Sequence, residues 1–147
     1  DHWEGEVDLP IGRDPQHTKK MAIRTDGRGR SARTIYRVLE IFRGFALVEC
    51  YPRSGRTHQI RVHMLHLGLP LAADKRYGRE RTLSLADLAP SNAGECKDLV
   101  LERHALHAAS LSFKHPVTCE EMTFSAPLPE DMLSLLHGLQ KYRSPPR

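Results

Sequence analysis

Long apolar runs are missing from this 147-residue chain. No stretch approaches the roughly 20 consecutive apolar residues that a membrane helix needs. The opening residues, Asp1-His2-Trp3-Glu4-Gly5-Glu6, are polar and acidic where a secretory signal would be basic and then apolar, so a soluble, cytoplasmic protein with no membrane partner is expected. Cysteine is scarce: Cys50, Cys96 and Cys119 are far apart and form no C-x-x-C, which argues against a disulfide framework or a zinc knuckle and leaves free thiols as the expectation. H-E-x-x-H and G-x-S-x-G are absent. His58 and His63 lie five apart on different sides of a helix, and His63 and His66 lack a thiolate or carboxylate partner in sequence, so no metal site is expected. The chain is also too short for two cores, and its 39% hydrophobic and 27% charged composition describes one folded domain.

Basic charge is lacking in one place and concentrated in another. Residues 1–12 hold Asp1, Glu4, Glu6 and Asp8 with no Lys or Arg. Residues 13–63 hold twelve Lys and Arg against four acidic residues, a net +8. Such a segment can neutralise several phosphates, the sequence-independent part of nucleic-acid affinity, so RNA or DNA becomes a candidate partner; a solvated basic face is the alternative.

Residues 13–33, rich in Gly, Arg, Lys and Thr, read as a basic arm or exposed hairpin with a turn at Asp26-Gly27. Ala32–Phe42 and Phe45–Tyr51 are rich in β-branched and aromatic residues around Arg43-Gly44, the pattern of an antiparallel hairpin. The second strand is apolar at successive positions and is expected at the centre of a sheet. Pro52-Arg53-Ser54-Gly55 breaks it, Thr57 is a candidate N-cap, and His58–Leu67 reads as a helix stopped by Gly68 and Pro70. Residues 80–99 have weak apolar order and read as a surface insertion. Leu106–Phe113 and Met122–Ala126 read as strands joined through Lys114-His115-Pro116. A last helix begins at Pro129 with Met132, Leu136 and Leu139 on one stripe. This order favours an α+β (mixed α/β) fold, an antiparallel sheet with flanking helices.

The most specific string is Ser54-Gly55-Arg56-Thr57-His58-Gln59-Ile60-Arg61-Val62-His63, followed by Leu67-Gly68-Leu69-Pro70 and by Asp74-Lys75-Arg76-Tyr77-Gly78. It resembles the catalytic domain of RluA-type RNA pseudouridine synthases, which carries GRTHQIRVH, a glycine-proline stop and a D-x-x-Y-G stretch. Leu9-Pro10-Ile11-Gly12, the Ala32–Glu49 hairpin and Arg103-His104-Ala105-Leu106-His107-Ala108 with His115-Pro116 resemble further family segments. The likeness runs from about Glu4 to about Leu139, with Ala73-Asp74 standing where members commonly have Gly-Asp.

The family's nucleophilic aspartate lies in an H-R-L-D segment ahead of the matched region, and no such segment occurs here. The resemblance therefore implies that residues 1–147 are the C-terminal portion of one catalytic domain, inactive alone. An N-terminal half, or self-association through the apolar surface left bare, would complete it. It also implies uridine-to-pseudouridine isomerisation in structured RNA, ribosomal or transfer, without cofactor. Arg61 would hold the absent catalytic Asp by paired, charge-assisted hydrogen bonds, and Leu106 would form the wall against which the uracil stacks. Arg28, Arg30, Arg33, Arg56, Thr57, His58 and Gln59 are the candidate RNA contacts. The competing expectation is a catalytically inactive RNA-binding module of the same fold.

Overall fold

A computed structural model describes residues 3–78, 82–89 and 99–145. β1 (Glu4–Asp8) pairs antiparallel with β4 (Arg33–Phe42), which pairs antiparallel with β5 (Phe45–Pro52). The β4–β5 hairpin turns at Arg43-Gly44, where Gly44 takes φ 82, a conformation glycine adopts without a Cβ penalty. β4 is the middle strand and β5 lies at the edge of this three-stranded sheet, so the expected central position of Phe45–Tyr51 is not met among the described residues. None of its residues is buried, and Ala46 and Tyr51 are exposed, so the apolar pattern on both faces does not by itself place a strand inside a sheet.

The basic segment is a hairpin anchored at its base. β2 (Ile11–Arg13) pairs with β3 (Met21–Ile23), and Ile11 also bridges to Arg30. Ile11, buried, with Met21 and Ile23, packs on Val62 and Tyr77, so only the tip and the following turn stand in solvent.

α1 (Gln59–His66) follows a left-handed residue, His58 at φ 56, which occupies the N-cap position. Thr57 is thus not the cap, and its exposed side chain forms no hydrogen bond among the described residues. β6 (Leu83–Ser84) and the single-turn α2 (Leu85–Leu88) correct the reading of 80–99 as a surface insertion. Leu83 and Leu88 are each 1% exposed and sit in the main core with Phe42, Leu101, Leu135 and Leu139. Residues 90–98 of that stretch, Cys96 included, lie outside the described residues.

β7 (Leu99–Leu101) pairs with β6, and β8 (Ser110–Lys114) pairs with β9 (Glu121–Ser125). Leu106 precedes β8 in a loop rather than standing in a strand. In α3 (Glu130–Tyr142) Leu135, Gly138 and Leu139 are buried and Met132 and Leu136 lie half-buried at the margin, so of the expected stripe only Leu139 is fully inward and the buried face is turned toward Leu135. Arg143 donates from Nε to Leu88 O and from Nη2 to Asp87 O, tying the end of α3 to α2. Among the described residues no helix is long and apolar enough to cross a membrane. Cys50 and Cys119 are free thiols.

Candidate active site

The geometry begins at a turn. Asp74 is fully buried, and its Oδ1 accepts the backbone N–H groups of Arg76 (2.9 Å) and Tyr77 (3.1 Å), a local pattern that aspartate favours. Gly78 closes the turn against Asp74 O, and a Cβ there would stand 2.7 Å from that oxygen, so only glycine fits. Ala73, just before, sits at φ 54, which explains why a glycine is at home in that position.

α1 brings Arg61 over this turn. Arg61 donates from Nε to Asp74 Oδ2 at 2.8 Å and from Nη2 to Asp74 Oδ1 at 2.7 Å, a bidentate pair. The guanidinium also lies 4.8 Å from the ring centroid of Tyr77. Burial alone would raise the Asp74 carboxyl; the hydrogen bonds from Arg61 and from the two backbone amides outweigh it and hold the group at about 2. Arg61 thus reaches this site with one carboxylate already in its fork. Its Nη1 donates to no described residue and is the atom left to address a second anion.

A buried relay fixes the helix that carries Arg61. Gln59 donates from Nε2 to Arg33 O (2.9 Å) and Thr34 Oγ1 (3.0 Å), and its Oε1 accepts from Ser54 Oγ and the Arg56 N–H. His63, fully buried, lies 2.9 Å from Thr34 Oγ1 through Nδ1 and 3.0 Å from Leu9 O through Nε2. A carbonyl can only accept, so Nε2 carries the proton and Nδ1 accepts from the Thr34 hydroxyl. Burial keeps His63 below the ordinary imidazole value. α1 is thereby bonded to β4 and to the β1–β2 junction at once.

The residues singled out from sequence fall into different places. Gln59 is 4% exposed with both amide atoms engaged inside the protein, so its assignment as an RNA contact is replaced by one as a strut between α1 and β4. His58 faces the site through Nδ1, 2.9 Å from the Tyr77 hydroxyl; burial, then Arg61 and Arg76, lower its proton affinity. Arg56 donates to Ser31 O from Nε, and Thr57 is exposed beside it. Arg28 and Arg30 are exposed and form no ion pair among the described residues. Arg33, by contrast, is held by Glu6 across β1 and β4 at 2.5 Å.

Leu106 lines an apolar cavity of about 690 Å³ together with Ile60, Met64, Leu71 and Ala105. The Ala105 N–H donates to Ala72 O, which lays the Leu106 loop alongside the segment leading to Asp74. Sequence reasoning quoted Asp74, Tyr77 and His104 within motifs but gave them no role. The signal for Asp74 and Tyr77 was available: an aspartate followed at two and three residues by backbone donors and then by glycine is a turn that buries its carboxylate. His104, lowered by burial and by Arg61, is positioned by a loop whose course no local pattern announces. Among the described residues no three His, Cys, Asp or Glu side chains converge on one point as metal ligands would.

Residues 2–66 match the model of the RNA pseudouridylate synthase family. An uncharacterised RNA pseudouridine synthase of Bacillus subtilis is 44% identical over 140 residues, which cover 95% of this chain and 40% of that protein. The ribosomal large subunit pseudouridine synthase D of Nitrosomonas europaea is 44% identical over 137 residues, 93% of this chain and 37% of that one. Over more than nine tenths of its length the chain resembles RNA pseudouridine synthases of the RluA type. The human RNA pseudouridylate synthase domain containing 4 superposes with a TM-score of 0.63 at 27% identity, covering 98% of this chain and 58% of that one. The chain spans about two fifths of the length of the curated relatives it matches.

Proposed function

We propose that this chain supplies the C-terminal half of a uridine isomerase site acting on structured RNA of the large ribosomal subunit, in a soluble cytoplasmic enzyme. The reaction breaks the bond from ribose C1′ to N1 of the base, turns the base, and joins C1′ to C5. C5 loses its proton and N1 gains one, so the step is balanced without oxidant, metal or nucleotide cofactor. The observation that carries the reading is the Arg61 guanidinium held in the fork of buried Asp74, with Nη1 left to address a further carboxylate. In this reading that carboxylate is the nucleophile, contributed by the N-terminal half. A guanidinium neighbour favours its ionised form in a pocket that the entering base dries. Leu106 forms the apolar wall for the uracil, and Arg28, Arg30, Arg56 and Thr57 meet the RNA backbone, joined by Lys20 and Arg76 beside Tyr77.

The surface supports a partner for this half. β5 presents an edge to which no described strand is bonded, and the cavity beneath it is lined almost wholly by apolar side chains. The β8–β9 hairpin aligns Leu111 with Phe124 and Phe113 with Met122 on one face, and Leu111, Phe113 and Phe124 are all exposed. Unpaired edges and contiguous apolar faces invite association. The N-terminal half is the occupant we assign to them, with self-association of the chain as the competing outcome.

The test is pseudouridine formation in ribosomal RNA by the complete synthase and by the 147-residue chain alone. Product with the complete enzyme and none with the chain is expected. Product with the chain alone would overturn the division of the site, and RNA binding by the complete protein without product would make it a binding module.

A further inference from the structure

Tyr77 touches both the basic hairpin and the Arg61 pair, and it is 8% exposed. Its phenol oxygen accepts the N–H of Met21 on β3 at 2.8 Å. The same oxygen lies in hydrogen-bond contact with His58 Nδ1 at 2.9 Å. Its ring lies under Arg61, and Lys20 of the hairpin reaches 5.9 Å from the same centroid. A second tie runs in parallel, from Arg76 Nη1 to Lys19 O at 3.1 Å.

We propose that Tyr77 is a positioning residue that couples docking of the basic hairpin to the orientation of Arg61, the hydroxyl serving the hairpin and the ring serving the guanidinium. The inference rests on the synthase reading above. Its physical content is a division of labour. Asp74 fixes two nitrogens of Arg61 in the plane of the fork, while an aromatic face beneath fixes the tilt of that plane. Both restraints come from one turn, since the Tyr77 N–H donates to Asp74 Oδ1. The hydroxyl meanwhile satisfies a part-buried N–H of β3, which would be left without a partner if it were removed. RNA gripped by the hairpin is thus placed relative to the guanidinium partly through this side chain, beside the Arg76 tie and the packing of Met21 and Ile23 on Val62.

The experiment compares Tyr77→Phe and Tyr77→Leu in the complete synthase, with kcat and KM measured separately and the Arg61 side-chain protons observed by NMR. Tyr77→Phe keeps the ring, so most of kcat should be retained while KM for RNA rises about tenfold. Tyr77→Leu should in addition lower kcat by about tenfold or more. The Arg61 protons should show an upfield ring-current shift with Tyr or Phe and lose it with Leu. Equal losses of kcat in the two variants, or an unshifted Arg61 in an active wild-type enzyme, would reduce Tyr77 to a packing residue. A ring-current shift in a wild-type protein that makes no pseudouridine would sink the synthase reading, and this coupling with it. If Tyr77→Leu does not fold, Tyr77→Phe carries the test alone, and an unaltered KM overturns the link to the hairpin.

Discussion

Asp74 and Arg61 form a two-bond fork, 2.8 and 2.7 Å, in which the carboxylate is fully buried and the guanidinium 13% exposed. Removing one member of such a pair leaves a desolvated charge without its partner, a loss on the order of 3 kcal/mol. Asp74→Asn should therefore destabilise the fold by about that amount in urea denaturation. Asp74→Glu should not rescue it, because the longer arm cannot accept the Arg76 and Tyr77 amides in the same turn. An Asp74→Asn protein as stable as wild type would show that the fork contributes nothing net.

The buried relay predicts a separation of stability from RNA binding. Gln59→Leu leaves the Ser54 hydroxyl proton and the Arg56 amide without an acceptor, which should cost about 2–3 kcal/mol of stability, while the Arg33 carbonyl keeps the Arg53 N–H. RNA affinity of the protein that remains folded should be unaltered. A large loss of affinity at full stability would return Gln59 to the RNA surface.

Stability should fall as the solution is acidified, in two stages. His63 and His58 have folded values below the ordinary 6.5, so the unfolded chain binds more protons and stability is lost as pH drops below about 6.5. Asp74, at 3.8 unfolded and about 2 folded, contributes fully above about pH 4, and its share disappears between about pH 4 and 2. His63→Gln should flatten the first stage in thermal melts recorded from pH 7 to 5. An unchanged slope would mean that His63 is not the titrating group.

The basic residues should not act alike. Arg28→Ala or Arg30→Ala should weaken binding across RNA sequences and reduce the salt slope by roughly one unit each. Arg33→Ala should do less, because Glu6 already neutralises that side chain, and Glu6→Gln should strengthen binding by releasing it. Salt titrations of RNA affinity check all four, and an Arg33→Ala slope change as large as that of Arg28→Ala would contradict the pairing.

What could be read from the sequence follows the range of the interactions involved. The β4–β5 hairpin and α3 are written in local periodicity and turn chemistry, and both fell where the pattern put them. β6 and α2 were missed because Leu83, Leu85 and Leu88 form too short an apolar pattern among Ser, Asp and Ala, and the partners that bury them, such as Leu101, Leu135 and Leu139, lie far along the chain. Thr57 looked like a cap because threonine suits one; the chain instead turned through a left-handed His58, whose ring is bonded to Tyr77 nineteen residues on. Arg61 stood out as a candidate in its motif, yet its fork with Asp74 did not, since nothing in either segment says that they meet. Gln59 was misassigned for the same reason, its partners Arg33 and Thr34 lying in another strand.

The central claim is that Arg61 serves a reacting carboxylate and not the RNA backbone. The measurement that tests it is single-turnover pseudouridine formation, with RNA affinity determined in parallel, for Arg61→Ala and Arg61→Lys in the complete synthase. Both variants should lose turnover by orders of magnitude while RNA affinity stays close to wild type, since a point ammonium cannot occupy the Asp74 fork and address a second carboxylate together. Full turnover in Arg61→Ala accompanied by lost RNA affinity would contradict the account and place Arg61 among the phosphate contacts.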